Sequence, residues 1–105
     1  MNLKALAEAI GLEEEEYREL VELFLETGKA DFDQLKAALA EGNDETVSRK
    51  AHTLCGAAGN LGIMDVYETA KRIELAALDR QLDGVSNDMS AIEVQFAEIA
   101  RCIAG

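Results

Sequence analysis

Residues 17–39 read YRELVELFLETGKADFDQLKAAL, and the fold turns on this stretch. Tyr17, Val21, Phe24, Gly28, Phe32, Leu35 and Leu39 recur at spacings of three and four, which draws one apolar stripe along a helix. The stripe crosses Gly28 without changing phase. A glycine inside a helix costs about 1 kcal/mol against alanine, so its place on the apolar face points to close approach of a neighbouring helix. The spacing predicts a single long helix ending near residue 41.

Upstream, Asn2 can cap a short helix through Leu3, Leu6 and Ile10, which Gly11 ends. Glu13 to Glu16 then place negative charge in the first turn of the long helix, where free N–H groups favour it. Downstream, Gly42-Asn43-Asp44 joins a helix-ending glycine to two candidate N-caps, a turn tight enough to reverse the chain. Three further stripes follow at helical spacing: Val47, Ala51, Leu54, Ala58 and Leu61; Ile63, Val66, Ala70, Ile73 and Ala77; Val85, Met89, Ile92, Phe96, Ile99 and Ile103. Four long stripes on short connections predict an all-α fold: an antiparallel up-down four-helix bundle with a short extra N-terminal helix, one domain over residues 1–105.

Composition narrows the partners. The 105 residues are 49% hydrophobic and 30% charged, without proline, and carry a formal net charge of -11. That charge repels nucleic-acid phosphates and anionic membranes, so neither is an expected partner. No apolar run is long enough to span a bilayer and no signal-peptide core opens the chain, so the cytoplasm is the expected compartment. Cys55 and Cys102 read as free thiols. No glycine-rich phosphate loop, metal-ligand cluster or internal repeat occurs.

One chemical feature stands out. His52 is the only histidine. With the third stripe's mean direction as zero and about 100° per residue, His52 points about 140° away, Gly56 about 180°, Gly59 about 120°, Ser48 about 100°, Cys55 about 80° and Arg49 about -160°. The ring thus faces solvent among small neighbours. Two helical glycines together cost about 1.5 to 2 kcal/mol, a loss that folding does not explain if both face water, so this surface needs clearance. An exposed neutral imidazole is a competent nucleophile for a phosphoryl group, and a bare surface beside it admits a second protein's carboxylate.

The segment Ala51-His52-Thr53-Leu54-Cys55-Gly56-Ala57-Ala58-Gly59-Asn60-Leu61-Gly62 resembles the phosphoacceptor segment of histidine phosphotransfer domains, which reads Ala-His-(Ser/Thr)-Leu-Lys-Gly, then small residues, then Asn-Leu-Gly. The likeness runs from about Tyr17 to Leu78 and takes in the Ala40-Glu41-Gly42-Asn43 turn and Ala70-Lys71-Arg72-Ile73-Glu74. It implies a phosphorelay intermediate: His52 accepts a phosphoryl group from a receiver-domain aspartate and passes it to another receiver. Partners would be response-regulator receivers and a hybrid histidine kinase, docking over Ser48, Arg49, Cys55, Gly56 and Gly59. The receiver would bring the Mg²⁺, so no cofactor or metal of the chain's own is expected. No nucleotide site is legible, which speaks against ATP-dependent kinase activity.

The sequence departs from the pattern at Cys55, where the family carries lysine. A thiol supplies no comparable charge to phosphoryl oxygens; Arg49 is the expected substitute, while Lys50, near -60°, flanks another helix. Cys55 reads as a small packing residue, with a redox thiol and a metal ligand paired with His52 as alternatives. The rival functions are a degenerate domain that binds receivers without carrying phosphate and an unrelated helical adaptor.

Overall fold

The structure, a computed structural model, describes residues 1–105. Five α-helices and one 3-10 turn make it all-α: α1 Leu3–Ala9, α2 Glu14–Ala40, α3 Asp44–Leu61, α4 Met64–Leu78 and α5 Ser86–Ala104, with the turn at Leu82–Gly84 before α5. The caps form locally as the residue types dictate. The Asn2 side chain accepts from the Ala5 N–H at 3.0 Å, and that of Asn43 from Thr46 N–H at 3.1 Å. At the head of α2, the Glu16 carboxylate reaches back to Glu13 N–H at 3.0 Å. Gly62 ends α3 at φ 73°, a left-handed conformation that any side chain would strain.

Helices α2 to α5 form the bundle, each packed on its neighbours in sequence, with α2 also meeting α5 to close the ring; α1 lies against α2. The pairing runs antiparallel. Arg18 near the start of α2 donates to the Ile103 carbonyl at the end of α5, while Lys36 near the end of α2 pairs with Glu93 at 3.5 Å. The undivided α2 depends on Gly28. A Cβ there would stand 3.3 Å from Phe96 Cζ and 3.4 Å from Leu54 Cδ2, so the missing side chain is the seat for the Phe96 ring. Phe24 and Phe32, one turn either side, meet Phe96 edge-on at centroid distances of 6.0 and 5.9 Å.

The predicted stripes supply the core: Tyr17, Val21, Leu35, Val47, Ala51, Ala58, Val66, Ala70, Ile73 and Ile92 are fully enclosed. Tyr17 carries a polar group inward and satisfies it, donating its O–H to the Leu61 carbonyl at 2.5 Å. That bond locks the start of α2 to the end of α3. Burial raises the Tyr17 pKa above its ordinary 10.0. The core also takes in Cys55, which helical phase alone had placed at its edge. No helix is long and apolar enough to cross a membrane.

Candidate functional site

Helix α3 carries His52 in its middle, and its core line of Val47, Ala51, Leu54, Ala58 and Leu61 turns the imidazole outward. The His52 side chain is 72% exposed. It is not free to rotate at random, because α4 lies alongside and brings Glu74 to it: His52 Nδ1 and Glu74 Oε2 are 2.8 Å apart. Glu74 is the only acidic or basic residue buried in the bundle. Such a carboxylate needs partners, and it has two, since Lys71 Nζ donates to its other oxygen at 3.3 Å.

The contact fixes the ring's tautomer. A carboxylate can only accept, so Nδ1 carries the hydrogen and donates it to Glu74. In the neutral ring the lone pair then belongs to Nε2. The arrangement presents an oriented, solvent-facing nitrogen nucleophile backed by an anion that stabilises positive charge on the ring, the same logic by which a buried carboxylate orients a catalytic histidine in hydrolases.

The family model described as the Hpt domain matches residues 19–103, most of the chain. The chain belongs to the histidine phosphotransfer domain family. No curated protein and no solved structure matches it. Membership places the chain in phosphorelay histidine phosphotransfer, with receiver domains and histidine kinases as its class of partner.

Of the surface residues expected around His52, Gly56 is open: a Cβ there meets nothing within 4 Å. Arg49 is exposed and makes no ion pair, one turn before His52. Ser48 is half-buried, and its hydroxyl donates to the Glu45 carbonyl of its own helix at 3.0 Å. One expectation needs correction, at Cys55, and one a refinement, at Gly59. Cys55 is buried at 5% exposure, so it sits beneath the surface and offers no contact to a docking protein. Burial raises its thiol above the ordinary 9.0, Lys71 draws it down and Glu74 raises it. Gly59 is exposed, as expected, but its missing side chain has a neighbour. A Cβ there would lie 3.1 Å from Tyr67 Cδ2, so this glycine makes room for the α4 tyrosine of the same chain.

Sequence reasoning missed Glu74 and the use of Lys71. Both lie in the Lys71-Arg72-Ile73-Glu74 stretch, but which of its charges faces His52 depends on the relative rotation of α3 and α4. It also missed a shallow groove between α2 and α3, lined by Leu20, Leu23, Phe24, Ala57, Asn60 and Leu61. Leu20 and Leu23 are 41% and 54% exposed, off the buried stripe of their helix. Asn60 lies two turns beyond His52, so this apolar surface adjoins the open patch at Gly56.

Proposed function

We propose that residues 1–105 form one phosphotransfer domain in which His52 is the phosphoacceptor, taking a phosphoryl group from a receiver-domain aspartate and passing it to a second receiver, in the cytoplasm. The observation that carries this reading is the contact of His52 Nδ1 with Glu74 beneath an exposed ring. The Nε2 lone pair attacks the phosphorus of the aspartyl phosphate. An N–P bond forms, the acyl P–O bond breaks, and its electron pair leaves on the receiver's carboxylate. The ring becomes positive and keeps its Nδ1 hydrogen, which Glu74 holds; no proton has to leave. The reverse sequence loads the next receiver.

Docking centres on His52, Gly56 and Arg49, with Ser48 at the rim and the Leu20 and Leu23 groove supplying apolar contact. Mg²⁺ belongs to the receiver, where it offsets phosphoryl charge. The test is transfer from a receiver charged with acetyl phosphate to the wild-type chain and to His52→Gln. Wild type is expected to accept phosphate and the variant none, with its thermal stability nearly intact, because an exposed side chain contributes within about 0.5 to 1 kcal/mol. Stable phosphate on His52→Gln would overturn the assignment. Receiver binding without any transfer to wild type would favour the degenerate module, a reading suggested by Cys55 in place of lysine.

A further inference from the structure

The incoming phosphoryl group is anionic, yet the nucleophile's anchor, Glu74, is an anion too, on a chain of net charge -11. The receiver's Mg²⁺ offsets the phosphoryl charge, but a cation of the chain's own is needed to offset Glu74. The position one turn after His52 holds a buried thiol. Of the other cations on α3 and α4, Lys50 is engaged with Asp31 at 3.7 Å and Arg72 with Asp88 at 3.1 Å, both pointing to other helices. Arg49 is exposed and has no anchor. Lys71 is different: its ammonium is bound to the same carboxylate that binds His52, at 3.3 Å, and its side chain is 44% exposed.

We propose that Lys71, reaching across from α4, supplies the positive charge that Cys55 cannot, holding Glu74 Oε2 on the imidazole and offsetting its repulsion of the phosphoryl group. One carboxylate bridges ring and ammonium, with His52 Nδ1 on Oε2 at 2.8 Å and Lys71 Nζ on Oε1 at 3.3 Å. The i, i+3 spacing of Lys71 and Glu74 keeps the pair on one face of α4. Lys71 is therefore a positioning residue, acting on the reaction through Glu74 and through its field.

The inference rests on the reading of His52 as phosphoacceptor, so wild-type transfer is measured first; no phosphate on His52 in wild type would overturn both. Given wild-type transfer, Lys71→Met is expected to slow phosphoryl acceptance by roughly tenfold, the effect of one charge at a partly screened site. It should also shorten the phosphohistidine lifetime and flatten the dependence of the rate on ionic strength. Lys71→Arg, which keeps charge and reach, should restore most of the rate. The melting temperature should move by only about two degrees, because the Lys71 side chain is 44% exposed and Glu74 keeps its bond to His52. Rates and lifetime in Lys71→Met equal to wild type would overturn the proposal and leave the role to Arg49 or to the receiver. A melting shift without a change in lifetime, or no rescue by Lys71→Arg, would overturn it as well, by reducing Lys71 to a structural partner of Glu74.

Discussion

Replacing Glu74 with alanine isolates the contribution of the buried carboxylate to a reaction it never touches directly. The substitution removes the 2.8 Å contact with His52 Nδ1 and releases Lys71. A hydrogen bond to a charged group is worth about 1.5 to 3 kcal/mol. The His52 ring is 72% exposed, so water replaces part of that, and about 1 to 1.5 kcal/mol is the appropriate share. The same anion stabilises the positive ring formed as the N–P bond closes, so the loss falls on the transition state. Transfer should slow about five- to twelvefold. Glu74→Gln keeps an oxygen that can accept from Nδ1 but not the charge, and should fall between. Folding should change little, because removing the carboxylate also removes the cost of burying it. Single-turnover transfer from a charged receiver, resolved on a phosphate-affinity gel, reads the rates, and thermal melts read the fold. A Glu74→Ala rate within about twofold of wild type would refute the reasoning.

Other perturbations separate docking from packing. Gly56→Leu should gain about 0.8 kcal/mol of helix propensity yet block transfer, since the space beside it is open for a partner; unimpaired transfer by this variant would remove Gly56 from the docking face. Gly59→Leu should instead destabilise the bundle by about 1 to 3 kcal/mol by displacing Tyr67, read by urea unfolding, and an unchanged midpoint would contradict that packing. Tyr17→Phe leaves the buried Leu61 carbonyl without its donor and should cost about 1 to 3 kcal/mol. Because burial raises the Tyr17 pKa, its contribution is complete below pH 10.0 and is lost as pH climbs through the raised value. Tyr17→Phe should therefore flatten the alkaline limb of stability against pH, and superposable profiles would contradict this.

The bundle was legible because its signals are local. Asn2, Asn43 and Gly62 act within a turn of their own positions, and the unbroken phase across Gly28 required a neighbour to pack there, which Phe96 does. His52 was legible for the same reason: its direction follows from its own helix. What lay hidden depends on how two helices are rotated against each other. Glu74 stands beside Ile73 on the α4 face, and only the seating of α4 on α3 turns it to His52 and not to water. The same seating buries Cys55, about 80° from the core direction on its own helix, and sets Tyr67 on Gly59. The short turn at Leu82–Gly84 carries no stripe or cap from which it could be read.

The site of phosphate attachment tests the central claim most directly. Phosphorylated protein labelled on the histidine nitrogens can be examined by long-range proton–nitrogen NMR, which distinguishes the two ring positions. With Nδ1–H bonded to Glu74, phosphorus is expected on Nε2 of His52, and Nδ1 should remain protonated. Phosphorus on Nδ1, or on any residue other than His52, would contradict it.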